Sequence, residues 1–315
     1  MAFHHLPVLL DECLEGLSIR PNGTYLDCTL GGAGHSSEIL RRLDERGRLI
    51  GIDRDADAIE AASARIAAAG CVARFTALRG NFHDAPALLE QVGITPEFDG
   101  ILVDLGVSSH QLDVRERGFS YHDDAPLDMR MDRSQALSAR EIVNEWTEDD
   151  LTRILRDYGE EKWARQIARV ICDRRGKAPI ASTSQLVSII DAAIPKKLRA
   201  ADGSHPARRT FQALRIAVND ELEPLEPALR ALVDLLKPGG RMCVITFHSL
   251  EDRIVKNTFR NLADPCICPK SFPVCVCGKR PVVKPITRKP VTASPEELEQ
   301  NPRARSACLR IVEKL

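Results

Sequence analysis

Short apolar runs ending in an acidic residue recur three times in the first third of the chain. Tyr25-Leu26 leads into Asp27, Leu49-Ile50-Gly51-Ile52 into Asp53, and Ile101-Leu102-Val103 into Asp104. A fourth run, Phe75–Leu78, precedes Asn81-Phe82. Compact apolar runs bounded by turn residues predict strands covered on both faces, near Tyr25–Cys28, Leu49–Ile52, Phe75–Leu78 and Gly100–Val103. Between them, Ser36–Leu43, Ala56–Ala68 and Asp84–Val92 carry helical patterns. Repeated β-α alternation predicts a parallel sheet with right-handed crossovers.

After Asp104 the strand period disappears and roughly 100 residues read as helical. Thr147 with Asp150 forms a capping box before Leu151–Asp157, and Lys162–Arg175 is amphipathic with basic positions. Thr183 can cap Ser184–Ile194, which Pro195 closes, and Pro206–Val218 makes a return helix. Sheet-like sequence resumes at Leu236-Lys237-Pro238-Gly239-Gly240, followed by a buried strand over Arg241–Phe247. A helical stretch interrupting an α/β unit reads as an insert. We place it at 114–213, leaving 1–113 and 214–315 as one discontinuous core. Pro265–Pro295 is a loop rich in proline and cysteine.

Length adds little to this picture: 315 residues, 43% apolar and 28% charged, suit an ordinary globular protein of about two domains. No apolar stretch reaches the roughly 18 residues of a membrane span. Met1–His5 lacks the charged and apolar regions of a signal peptide, so the expected location is the cytosol, with no membrane partner. Ten cysteines are then expected as reduced thiols. Charge changes the picture more. The net value of −1 conceals segregation: Trp163–Arg215 holds 11 Lys/Arg against 3 Asp/Glu, and Arg253–Pro290 holds 9 against 1. Two basic blocks in a neutral chain suggest a polyanion contacting part of the surface, although each block alone is compatible with a solvated helix face.

The candidate chemistry gathers at one sheet edge, where Asp27, Asp53 and Asp104 end their strands. The loop Gly31-Gly32-Ala33-Gly34 can bring backbone close to a ligand, and Asp53, 22 residues beyond Gly31, can accept from ribose hydroxyls. A dinucleotide site remains an alternative. However, the run is not Gly-x-Gly-x-x-Gly, and Asp27 ahead of it would repel a diphosphate. S-adenosyl-L-methionine, with a sulfonium, an amino group and a carboxylate, fits the acidic edge better. Asn81-Phe82 could face an adenine, or Phe82 could be core. His35 reads as a cap or packing residue, and His248, in Phe247-His248-Ser249, as a possible substrate-facing group. Cys266, Cys268, Cys275 and Cys277 offer four thiols, but Cys-x-Cys departs from the gap of common zinc loops. The sequence therefore assigns no metal and leaves these thiols open.

The runs Asp27–Ser36, Gly51–Asp55, Asp99–Asp113, Arg117–Asp132, His205–Leu222, Phe247–Lys256 and Asn301–Ile311 closely resemble the ribosomal RNA small-subunit methyltransferase H family across nearly the whole chain. The resemblance implies a Rossmann-like α/β methyltransferase core carrying an all-helical insert for RNA recognition. It further implies S-adenosyl-L-methionine-dependent methylation of N(4) of one cytosine in the decoding centre of 16S ribosomal RNA, within small-subunit particles or as naked RNA. Matched by position, the donor site falls on Ala33, Gly34, His35, Asp53, Phe82, Asp104 and Gln111. No catalytic residue follows directly, since Asp104-Leu105-Gly106-Val107 stands where many amine methyltransferases carry Asp/Asn-Pro-Pro-aromatic. Asp104 and His248 are the candidates. A homodimer is compatible with everything above and required by none of it.

Overall fold

The computed structural model describes residues 6–95, 97–195, 205–269, 271–272 and 274–315; Met1–His5 lies outside the described residues. Seven strands form one mixed sheet: β1 (Thr24–Asp27), β2 (Arg48–Asp53), β3 (Arg74–Arg79), β4 (Phe98–Asp104), β5 (Leu236–Thr246), β6 (Val283–Pro285) and β7 (Cys308–Lys314). Their order is β3-β2-β1-β4-β5-β7-β6. The first five pair in parallel, and β7 runs antiparallel to both β5 and β6. This is a Rossmann-like α/β sheet whose strand order turns back between β1 and β4.

Helices α1 (Leu10–Leu17), α2 (Gly34–Arg41), α3 (Ala56–Ala69) and α4 (Ala85–Gln91) alternate with the first strands. Strand alternation sorts side chains between two cores. Tyr25, Leu49, Leu102, Cys243 and Ile245 pack with residues of α1, α2 and α3, including Leu14, Ile39 and Ile66. Their neighbours Leu26, Ile50, Ile101, Val103 and Val244 join the core that contains Leu89 of α4. Both faces are apolar, which explains why the strands read as unbroken runs rather than alternating ones.

A second unit spans residues 107–221, with α5 (Ser109–Asp113), α6 (Ala139–Glu145), α7 (Glu148–Asp157), α8 (Ala164–Arg175), α9 (Thr183–Ala193) and α10 (Arg208–Asn219). Its core draws Leu151, Ile154, Ile167, Ile171, Leu186, Ile190, Phe211 and Leu214 from α7 to α10. These limits are wider than the expected 114–213, because a cut at 213 would split α10 through its buried face. The first unit is completed by α11 (Leu225–Asp234), α12 (Ser249–Ala263) and α13 (Pro295–Gln300). No helix among the described residues is long and apolar enough to cross a membrane.

Three details depart from the sequence reading. The cap of α9 is Ser182, whose hydroxyl accepts from the Gln185 N–H. Thr183 points inward instead, donating to the Asp123 carbonyl at 2.6 Å and accepting from Ala125 N–H at 3.0 Å. Strand β7 was not anticipated, because Arg310 interrupts its apolar run; that guanidinium is buried against Asp252 of α12 through bonds of 2.7 and 2.9 Å. Finally, residues 118–138 are not helical. Two buried side chains shape this segment: Arg117 donates to the carbonyls of Arg130 and Met131, each at 2.9 Å. Asn219 accepts from Met131 N–H at 2.8 Å and donates to the Met129 carbonyl at 2.8 Å and the Arg215 carbonyl at 2.9 Å.

Replacing Asn219 with Ala strands a buried N–H and carbonyl together, which should cost about 2–4 kcal/mol. Urea unfolding followed by far-UV circular dichroism should show the loss as an earlier helical transition. An unchanged midpoint would remove Asn219 from this role.

Candidate functional site

Parallel register aligns Asp27 with Gly51 of β2 and Leu102 of β4. Asp53 and Asp104 therefore each project two residues further along the same edge, one on either side of β1. This is where the strand order turns back, the place at which open α/β sheets leave a crevice. The three carboxylates come together as the sequence predicted.

Each is held differently. Asp27 is fully buried, accepting from the Thr29 N–H at 3.1 Å and the Ser36 hydroxyl at 2.6 Å. Burial pushes its carboxyl up to about 6, against the lowering effect of the Ser36 and Thr29 hydrogen bonds. Asp53 accepts from the amides of Gly31 at 2.8 Å and Asp55 at 2.9 Å, which ties β2 to the glycine loop; burial raises its pKa too. Asp104 N–H donates to the Thr29 hydroxyl at 2.7 Å. Its carboxylate is less well satisfied: Oδ1 is enclosed and has no hydrogen-bond partner among the described residues. Burial first, then the charges of Asp27 and Glu251, push Asp104 well above the usual carboxylate range. The side chain as a whole retains 26% exposure, so it can be reached.

The loop residues divide by role. Gly31 takes a positive φ of 49°, but so does Ala33 at 56°, in the position before α2. A left-handed alanine costs roughly 1–2 kcal/mol, so surrounding structure must impose it. Gly34 is glycine for space, since a Cβ there would lie 2.6 Å from Pro7 Cγ. At Gly32, by contrast, a Cβ would meet nothing within 4 Å. The Gly32 carbonyl instead accepts from Arg65 at 3.0 Å.

His35 is buried, and its Nε2 lies 3.0 Å from the Val8 carbonyl. A carbonyl only accepts, so Nε2 carries the proton, and Nδ1 is the atom that lies 3.8 Å from Asp104 Oδ2. Phe82 is 8% exposed and belongs to the sheet core, its ring meeting that of His83 edge-on at 4.3 Å. Burial and the nearby Arg54 charge lower His83 to about 4, so it is neutral at pH 7. Gln111 lies in the helical unit, where its side-chain oxygen accepts from Ser108 N–H at 3.0 Å and completes the cap of α5.

His248 serves as the N-cap of α12: the Glu251 N–H lies 3.5 Å from its Nδ1, and its Nε2 lies 3.1 Å from Glu251 Oε1. Glu251 in turn accepts from the amides of Phe247 and His248. Nδ1 thus starts the helix, while Nε2 is buried with no hydrogen-bond partner among the described residues. Sequence reasoning missed Thr29, which links the Asp27 carboxylate to the Asp104 backbone, and Ser36, which donates to Asp27. The available signal was two hydroxyl residues flanking the glycine run directly after Asp27.

An edge of enclosed carboxylates fits a ligand with positive centres, as S-adenosyl-L-methionine has, and opposes a diphosphate. Oδ1 of Asp104 is a buried acceptor with no hydrogen-bond partner among the described residues. Asp53 has two of its lone-pair directions used by amides and the others remaining for hydroxyls.

The chain matches the MraW methylase family over residues 2–315. It is 58% identical over 315 residues to "Ribosomal RNA small subunit methyltransferase H" of Symbiobacterium thermophilum, covering all of this chain and 98% of that one. The protein of the same name from Heliobacterium modesticaldum is 56% identical, with complete coverage of both. Among solved structures, an rRNA methylase from Streptococcus thermophilus aligns at a TM-score of 0.41 and 9% identity, over 100% of this chain and 99% of that one.

The raised carboxyl of Asp27 has a definite pH signature. Its folded pKa of about 6 lies above the ordinary 3.8, so the fold favours the protonated form. The resulting penalty is absent below the ordinary value, grows as pH rises, and is complete above about 6, at roughly 3 kcal/mol. Asp27→Asn can keep both hydrogen bonds, with Oδ1 accepting from Thr29 and Nδ2 donating to Ser36. It should melt at higher temperature than the parent at pH 7.5, with the gain fading towards pH 4, and should bind a cationic ligand more weakly. Equal melting temperatures at pH 7.5 would contradict the assignment.

Proposed function

The chain belongs to the MraW methylase family, and on that footing we propose that it methylates the exocyclic amine N(4) of one cytosine in the decoding centre of 16S ribosomal RNA. The methyl donor is S-adenosyl-L-methionine, which supplies an activated methyl group on a sulfonium. The curated relatives carry small-subunit ribosomal RNA in their name, which supports the choice of RNA. The observation that carries the chemical reading is Asp104, a partly exposed carboxylate at an edge shared with Asp27 and Asp53, one of whose oxygens has no hydrogen-bond partner among the described residues.

The amine of cytosine is a poor nucleophile, because its lone pair is delocalised into the ring. An acceptor for one N–H lets the nitrogen rehybridise and aim that lone pair at the methyl carbon. We assign this role to the Asp104 carboxylate, whose side chain is 26% exposed, and a carboxyl with a raised pKa is also suited to take the proton the amine sheds and release it to water. Such proton handling is typically worth 10²–10⁴-fold, whereas holding both reactants in line can supply about 7–11 kcal/mol. The larger share therefore falls to positioning. Within the sheet unit we assign donor binding to Ala33, Gly34, His35, Asp53, Phe82 and Asp104. His35 acts by bracing the loop through Val8. Gln111 is assigned to the donor site on the resemblance alone.

The helical unit is assigned to RNA, with a division among its arginines. Arg175 donates to the Val143 carbonyl and Arg209 to the Glu160 carbonyl, both at 2.8 Å, so these two brace the unit. Arg174 and Arg208 are exposed, and they are the phosphate contacts we propose.

Transfer of labelled methyl from the donor to small-subunit particles and to naked 16S RNA, followed by nucleoside mapping, tests the substrate. Label in N(4)-methylcytidine is expected, and label confined to another nucleoside would overturn the assignment. Asp104→Asn should lower the single-turnover rate by roughly 10²–10⁴-fold; near-normal turnover would end the proposed role. Arg174→Ala and Arg208→Ala should each lower the salt slope of RNA binding by about one. Unaltered slopes would move the RNA contact elsewhere.

A further inference from the structure

The stretch from 264 to 282 has almost no apolar anchor of its own. Ile267, Phe272, Val274 and Val276 are 51–70% or more exposed, Val276 reaching 73%. No helix or strand runs through its described residues. Four thiols nevertheless converge there. The Sγ of Cys275 lies 3.5 Å from that of Cys266, 3.5 Å from that of Cys277 and 3.9 Å from that of Cys268. Cys277 and Cys266 are 3.9 Å apart, and all four sulfurs fall within 4.8 Å of one another.

These distances discriminate between the chemistries open to four cysteines. Bonded sulfurs lie about 2.05 Å apart, so none of these pairs is a disulfide. A tetrahedral ion with metal–sulfur bonds of about 2.3 Å sets its thiolates about 3.8 Å from each other, because the edge of a tetrahedron is 1.63 times its centre-to-vertex length. The observed separations straddle that value. An iron–sulfur cluster distributes its cysteines over different irons and would spread them further. Thiolates exclude magnesium and calcium, which take oxygen ligands, and a four-sulfur tetrahedron favours zinc.

A backbone amide supplies surrounding support. Val276 N–H points at Cys268 Sγ at 3.3 Å. Hydrogen bonds of this kind orient ligands and stabilise thiolate charge. One Zn²⁺ with four thiolates carries a net charge of −2, and Lys279 and Arg280 follow directly in the chain. The Cys-x-Cys spacing is no obstacle, since the backbone folds so that Cys275 and Cys277 both turn their sulfurs inward.

We propose that Cys266, Cys268, Cys275 and Cys277 form a structural site for a single zinc ion that orders the 264–282 loop. Binding replaces four S–H bonds with four Zn–S bonds and releases the protons to solvent, with no change of oxidation state. The site is independent of the methyl-transfer reading, and its test reads metal directly. Full-length protein purified under reducing conditions without chelator should contain about one zinc per chain by elemental analysis. X-ray absorption should report four sulfur neighbours at about 2.3 Å. The double variant Cys275→Ser/Cys277→Ser should lose at least roughly tenfold of its zinc while still binding S-adenosyl-L-methionine, which shows that the sheet unit has folded. A folded parent that takes up no zinc after incubation and desalting would overturn the proposal. So would unchanged zinc in the double variant, or iron in place of zinc.

Discussion

Like charges confined to a poorly solvated crevice are the constraint on which this structure turns. Asp27 and Asp104 are held above their ordinary pKa first by burial and then by neighbouring carboxylates, and Asp53 by burial chiefly. Such an arrangement opposes folding stability, and hydroxyls and amides from Thr29, Ser36, Gly31 and Asp55 only partly offset it. A ligand with positive centres relieves what the protein leaves unrelieved. Affinity for such a ligand and the electrostatic strain of this edge would therefore be two aspects of one arrangement.

The sheet explains how the chain tolerates that strain. Strands β1, β2 and β4 are apolar on both faces and hydrogen-bonded on both sides, so their carboxyl ends are fixed by two packed cores. The left-handed Ala33 and the Pro7 contact at Gly34 show the loop shaped by its surroundings rather than by its own preference. His35 adds a polar brace through Val8. Precision at the edge comes from elements with little freedom to adjust, which is what a positioning-dominated reaction needs.

Much of this was legible in sequence because parallel strands buried on both faces announce themselves as apolar runs, and the residue that ends each run faces the crevice. What failed to show was whatever depends on a distant partner. Arg310 disguised β7 because only its pairing with Asp252 makes a buried guanidinium tolerable. Thr183 and Ser182 are equivalent as caps in sequence, and the choice was made by Asp123 and Ala125, nearly sixty residues away. His248 reads as chemistry at a strand end, and its ring also caps α12, a role set by Glu251 three residues on. Thr29 and Ser36 were overlooked because their value lies in their partners: Thr29 joins Asp27 to Asp104, and Ser36 supports Asp27. The meeting of the four thiols was not legible from their spacing, since linear gaps do not report where sulfurs lie.

Strands β4 and β5 are neighbours in the sheet, yet residues 105–235 separate them along the chain. Joining strands across so long a stretch is slow, because many chain configurations must be searched before the first pairing forms. The helical unit occupies most of that stretch and holds a core of its own. Its prior collapse would tether the two strand ends at a set separation and shorten the search. An insertion that looks like a burden on assembly would then act as its accelerator.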